Sequence, residues 1–470
     1  MTPSMPLVPP ALKGLAASLV LLLSVLVLLV AVDGASAAAA GSAKASAKSP
    51  SAKKRASAPT RRSSARRGAR RCGTGPQRAR GSQSRRTRGK GKRAPARAAC
   101  RRAAQQPRTQ QPRTQQPRKV TQVSGSASVS GHAVPASGGP LRIGLVANTQ
   151  VHDQNAGSEQ DLAKQTGAGW LREEFDWDVI EPQNDQWSWT RYDTVLEQAA
   201  QRGLRVLPLL NGSASWAAPR WNQFPDDLGE YGEYVAKVTE RYGPDGSFWR
   251  ARPELAAYAP SHFELWNEPY IEYFSIDKVS PSRYAQLAKA GAAAGRAANP
   301  SAKFLLSADT YYTESAGDYR NWIDGMYAAV PDLNSYFDAV AVHPYSGGLS
   351  PDTYTPGQGT RWQFRRLEEM RARFVAHGAA AKKFWITELG WATCTGNEDC
   401  VSEQQQAQYL SRVFAYAKGE YASFMEAVFV YHLRDWGPAD QTNKEYWFGL
   451  RRKDGTPKPA FDTLRGISQA

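Results

Sequence analysis

The stretch FELWNEPY, Phe263 to Tyr270, reads as a buried strand that ends on a carboxylate. Its Phe, Leu and Trp residues mark the strand, and Asn267-Glu268-Pro269 closes it. A glutamate in that position either caps the following loop or faces a ligand. What the rest of the chain builds around it decides between the two.

Seven further short apolar runs surround this one: LRIGLVA (141–147), GWLREEF (169–175), LRVLPLL (204–210), KFLLSA (303–308), DAVAVH (338–343), KFWITE (383–388) and AVFVYHL (427–433). Helix-like stretches with charged faces lie between them, at 191–203, 281–298, 362–378 and 402–419. Gly203 and Gly378 fit C-terminal stops, and Ser402 fits an N-cap. Strands alternating with helices imply parallel pairing. Eight such units predict an α/β protein with a (β/α)8 TIM barrel; a doubly wound open sheet is the alternative. No G-x-G-x-x-G follows the first run, which disfavours dinucleotide binding.

The chain before residue 141 is different material. Residues 14–32 form an apolar run after Lys13 that is long enough to span a bilayer. The Ala35-Ser36-Ala37 pattern suits a peptidase, so 1–37 reads as a signal peptide or a membrane anchor. Either reading places the rest outside the cytoplasm, extracellular or attached to the envelope.

Residues 38–140 are rich in Ala, Ser, Gln, Pro, Arg and Lys, with three tandem QQPRT-like pentapeptides at 105–119. Residues 44–119 hold 7 Lys and 19 Arg and no acid. Such a segment has too little apolar surface to offset its ordering entropy and is expected to be disordered. The net charge of +17 is therefore a property of this linker: residues 120–470 carry 33 basic against 42 acidic residues, a balance of −9. A basic run is usually a solvated linker. Its functional reading is an arm for anionic envelope polymers or a membrane surface. Without interleaved aromatics, no specific nucleic-acid partner is expected.

Four cysteines form two local pairs, Cys72 with Cys100 and Cys394 with Cys400. An even count in an exported chain suits disulfides. The tight CTGNEDC spacing points to a Cys394–Cys400 bridge, while the first pair stays open. No CxxC or nearby His suggests a metal, and no cofactor is expected.

In a barrel of this kind, chemistry sits where the strands end. The fourth run ends in Asn267-Glu268 and the seventh in Thr387-Glu388. The second carries Arg172, the sixth ends in His343-Pro344-Tyr345, and the eighth leads to Trp436. Each residue alone has an ordinary explanation, such as a cap, an ion pair or a core histidine. Two carboxylates converging on one rim instead suit glycosidic cleavage, where one group protonates the leaving oxygen and the other attacks or activates water. All 14 Trp lie between Trp170 and Trp447, and their flat faces suit sugar rings.

WNEP after the fourth run and ITELGW at the seventh resemble the clan A glycoside hydrolases. LREEFDWDVIEP and LRVLPLLNGSASWA are most similar to family 39, with the cellulase-like family 5 next. The resemblance covers roughly 141–465. It implies a retaining enzyme acting on a polysaccharide or oligosaccharide, exported on the reading of residues 1–37, with Glu268 as acid/base and Glu388 as nucleophile. It further implies that Asn267 bonds a sugar hydroxyl and Arg172 holds the nucleophile ionised. Tyr345 or His343 would bond the nucleophile, and Trp436 would floor a subsite. The alternatives are a non-catalytic glycan-binding or tethering barrel, which both carboxylates argue against, and a metal-dependent hydrolase, which six scattered His disfavour.

Overall fold

The computed structural model describes residues 140–149, 156–276, 279–309, 311–314, 318–355 and 363–470. The leader, nearly all of the basic linker and the Cys72/Cys100 pair lie outside the described residues. Eight parallel strands close into a barrel: β1 (Arg142–Val146), β2 (Trp170–Asp176), β3 (Arg205–Asn211), β4 (His262–Leu265), β5 (Lys303–Ser307), β6 (Ala339–Val342), β7 (Lys383–Ile386) and β8 (Met425–Tyr431). Each pairs with its sequence neighbour, and β8 pairs with β1, so the open-sheet alternative falls away. Outside the barrel, Tyr311–Glu314 and Asp318–Asn321 form a two-stranded antiparallel ribbon.

The helices packed around the barrel follow the charged-face pattern: Thr190–Gln201, Pro281–Ala298 and Glu403–Lys418 lie close to their expected positions. The stop glycines adopt left-handed φ of 70° (Gly203) and 78° (Gly378), which glycine tolerates without strain. Ser402 and Gln405 exchange side-chain and backbone hydrogen bonds in a capping box. The expected 362–378 helix is shorter, Leu367–Ala376, entered through a tight turn at Phe364–Arg366.

Two-residue periodicity stacks the barrel interior in layers. Leu207, Leu305, Ala341, Trp385 and Phe429 fill the lower layer, with Trp170 packed against them. A side chain at Gly144 would collide with Phe429, so glycine there lets the phenyl ring fill the barrel. Two residues further along their strands stand Arg172, Ser307, His343, Thr387 and Tyr431. The apolar plug thus lies directly beneath a polar layer.

Candidate active site

The polar layer is built around Arg172, which is 2 % exposed. Its Nε donates to Glu264 Oε2 at 2.6 Å and its Nη2 to Glu264 Oε1 at 3.1 Å. Nη2 also donates to Asn267 Oδ1 at 2.8 Å, and Nη1 to Glu388 Oε1 at 2.5 Å. The guanidinium fork is therefore spent on three acceptors from the ends of β4 and β7. Glu173, one residue on, faces the other side of the sheet and accepts from Thr149 Oγ1 at 2.8 Å.

The turn after β4 places the acid residues. Trp266 (φ 65°) and Glu268 (φ 36°) both have left-handed backbone, costly for side-chain-bearing residues. The surroundings hold this turn at several points. Trp266 N–H donates to Leu210 O at 3.1 Å and Asn267 N–H to Asn211 Oδ1 at 3.2 Å. Ser307 Oγ donates to Trp266 O at 2.8 Å, and the indole N–H donates to Phe274 O at 2.7 Å. The Trp266 rings turn into the core against Phe224 and Tyr231. The side chain bonded to Glu268 is a histidine.

His343 Nδ1 lies 2.9 Å from Glu268 Oε1, and its Nε2 lies 3.0 Å from Thr387 Oγ1. The same Nδ1 stands 3.7 Å from Glu388 Oε2. Tyr345 Oη donates to Glu388 Oε2 at 2.9 Å. Glu388 thus has one oxygen on Arg172 and the other on Tyr345, a fixed orientation with both oxygens solvated by donors.

Charge balance follows from these contacts. Burial opposes ionisation of Glu264, but Arg172 and His343 outweigh it and hold the carboxyl at about 2. Burial opposes protonation of His343, but Glu388, Glu264 and Glu268 raise it to about 10. Glu174, two residues past Arg172 and half-buried at the mouth, is pushed up to about 8 by burial and by Asp176, with Glu388 adding to the rise. Burial and the carboxylates Glu268 and Glu388 also raise Glu445, on the loop after β8.

Of the residues singled out in the sequence, Arg172, Asn267, Glu268, His343, Tyr345 and Glu388 come together in one hydrogen-bonded cluster. Trp436 lies on the β8 loop, 39 % exposed and edge-on to Tyr446. None of the cluster's hydrogen bonds reaches it among the described residues. Two further members carry no role in the sequence reading: Glu264, and Thr387, which is placed only at the end of the seventh run. A signal for Glu264 exists: an acid at an alternating position inside an otherwise apolar strand must be paired when buried, and Arg172 occupies an equivalent interior position.

Cys394 and Cys400 form a disulfide with Cα atoms 5.3 Å apart. Their loop grips the loop after β8: Gly396 N–H donates to Gln441 O at 2.9 Å, and Lys444 Nζ to Asp399 Oδ2 at 2.5 Å. Among the described residues, no group of three or more His, Cys, Asp or Glu is arranged to hold a metal ion.

Residues 202–435 match the family model of a glycosyl hydrolase catalytic core, and residues 148–237 match a beta-galactosidase family model. Residues 202–435 are thus similar to a glycosyl hydrolase catalytic core. The glycosidase class expected from the sequence agrees with the descriptions of both family models. No curated protein matches it by sequence. Among solved structures, the core is similar to a family 39 glycoside hydrolase from Bacteroides cellulosilyticus WH2, with 21 % identity over 70 % of this chain and 63 % of that one (TM-score 0.52). The chain thus spans less than two thirds of that enzyme's length. It is also similar to GH5_18 from Streptomyces cattleya in complex with GlcNAc, with 17 % identity over 71 % and 80 % of the two chains (TM-score 0.53). At these identities the likeness shows the barrel fold alone.

Proposed function

We propose that the protein is an exported retaining glycoside hydrolase acting on a polysaccharide or oligosaccharide, with Glu388 as nucleophile and Glu268 as acid/base. One observation carries this reading: a single imidazole nitrogen lies within 2.9 Å of one carboxylate and 3.7 Å of the other. Those legs limit the two oxygens to about 6.6 Å apart, the lower edge of the inverting range of roughly 6.5–9.5 Å and compatible with the retaining spacing of about 5–5.5 Å.

In the first step Glu388 attacks the anomeric carbon while Glu268 gives its proton to the departing oxygen. In the second, water attacks that carbon, its proton passes to Glu268, and the Glu388 ester bond breaks. Arg172 and Tyr345, one donor on each oxygen, keep the attacking carboxylate oriented. Asn267, its oxygen engaged by Arg172, keeps its amide nitrogen to donate to a sugar hydroxyl. Trp436 offers an exposed indole face as a subsite floor. The basic linker is proposed to hold the enzyme at anionic envelope polymers or a membrane surface.

The test uses the full chain, wild type and Glu388→Gln, on a glycan panel that includes Manβ1-4GlcNAc, the ligand of a Streptomyces cattleya GH5_18 variant. Product anomers are read by NMR. Retained configuration in the wild type and no turnover in Glu388→Gln are expected. Inverted product refutes the retaining mechanism. Glycan binding without turnover in the wild type favours a non-catalytic barrel.

A further inference from the structure

We propose that the acid/base of this barrel is a Glu268–His343 pair sharing one proton, with the sense of the sharing fixed from below by Thr387 and Glu264. The inference rests on Glu268 being the acid/base. It assigns positioning roles to Thr387 and Glu264, which bond other residues of the site.

The argument starts at the buried end of the chain of hydrogen bonds. Glu264 is fully buried and held bidentate by Arg172, so it is an anion that only accepts. Thr387 Oγ1 lies 3.1 Å from Glu264 Oε1. A hydroxyl has one proton, and if it pointed elsewhere two oxygen lone pairs would face each other at that distance. The Thr387 proton therefore belongs to Glu264. His343 Nε2, 3.0 Å from the same oxygen, must then be the donor in its contact. Glu264 Oε1 itself, 3.8 Å from Nε2, favours the same proton position.

With the Nε2 proton committed, the only imidazole proton free to move is on Nδ1, and Nδ1 faces Glu268 Oε1 at 2.9 Å. Nitrogen and oxygen at that distance share a single hydrogen bond, written either as imidazolium and carboxylate or as imidazole and carboxylic acid. The charges facing this ring are Glu264 from β4, Glu268 from the β4 turn and Glu388 from β7, with Arg172 behind Glu264 and neutral Tyr345 beside it. Three carboxylates around one ring retain the shared proton to high pH, in line with the raised value for His343. When Glu268 protonates a leaving group, the pair becomes neutral imidazole and carboxylate. The proton taken from water in the second step restores it, so the proton count closes.

Two titrating groups this close have values that belong to the pair. The experiment is an NMR pH titration of the full chain labelled with 15N-histidine, with His343 assigned from a His343→Asn sample. The wild type, Glu268→Gln, Thr387→Val and Thr387→Ser are compared. In the wild type Nε2 stays protonated throughout and only Nδ1 titrates. Glu268→Gln removes the facing charge and lowers the midpoint by about one pH unit or more. Thr387→Val removes the acceptor for Nε2–H and lowers it by less, and Thr387→Ser restores it, which a purely structural role would not produce. A neutral ring protonated on Nδ1, or a midpoint unmoved in Glu268→Gln, overturns the proposal. An unmoved midpoint in Thr387→Val overturns the roles of Thr387 and Glu264. The titration needs no substrate, so it decides independently of the glycan panel, where failure of the hydrolase reading would appear.

Discussion

Replacing Glu264 by glutamine keeps the side chain's size and removes only its charge. Glu264 is fully buried, and every donor around it is shared with the candidate site: Arg172 twice, Thr387, and His343 close by. Its carboxyl is held at about 2, against an ordinary value of 4.5, because Arg172 outweighs burial. A group depressed in this way stabilises the fold above its unfolded value, and that stability is lost as pH falls through the folded one. The interval corresponds to about 3 kcal/mol at pH 7. At pH 3 less than half of this remains, because the unfolded carboxyl is already neutral there, and the rest is lost as the pH falls through the native value.

Glu264→Gln should therefore be less stable than wild type by about 3 kcal/mol at neutral pH, with the gap narrowing toward pH 3. Urea unfolding of both proteins at pH 7, 5 and 3, followed by tryptophan fluorescence, measures it. Equal stability at pH 7 would refute the reasoning. So would a gap that persists undiminished at pH 3, which would mean that packing and not charge carries the interaction.

The remaining predictions concern the reaction and the loops. Glu268→Ala should slow poor leaving groups by about 10²–10⁴-fold and activated aryl leaving groups far less, measured as kcat/KM across an aryl glycoside series. Equal losses would remove the acid role. Tyr345→Phe deletes one hydrogen bond to Glu388 and should lower kcat/KM about tenfold with unfolding unchanged within about 1 kcal/mol. Cys394→Ser with Cys400→Ser opens a loop closed over a separation of six residues and should cost about 2 kcal/mol in unfolding. It should also speed proteolysis near residues 441–444, which the Cys394–Cys400 loop grips.

The barrel was legible because its strands are short apolar runs between amphipathic helices, a pattern that local chemistry writes directly into sequence. The caps at Gly203, Gly378 and Ser402 are local for the same reason. The rim residues could be singled out because each follows a recognisable run. Glu264 was hidden inside such a run, where one acid among apolar neighbours resembles an interruption. The shortened helix at Leu367–Ala376 differs because its entry turn, Phe364–Arg366, has no strong sequence mark. Trp266 marks the strand in the sequence without showing which way its side chain turns. The left-handed turn sends its rings into the core, and backbone sign is not visible in a list of residues.

By itself, the sequence determined the alternation of strands and helices, the charge division between linker and domain, and which strands end on carboxylates. Those properties depend on residues near one another in the chain. Tertiary structure alone decided which charges meet. Arg172 and Glu264 are 92 positions apart, and Glu388 is 216 from Arg172. Only closure of the barrel sets them in one layer, where low solvent access makes each charge depend on its neighbours. The glutamate that ends FELWNEPY faces a histidine 75 residues away.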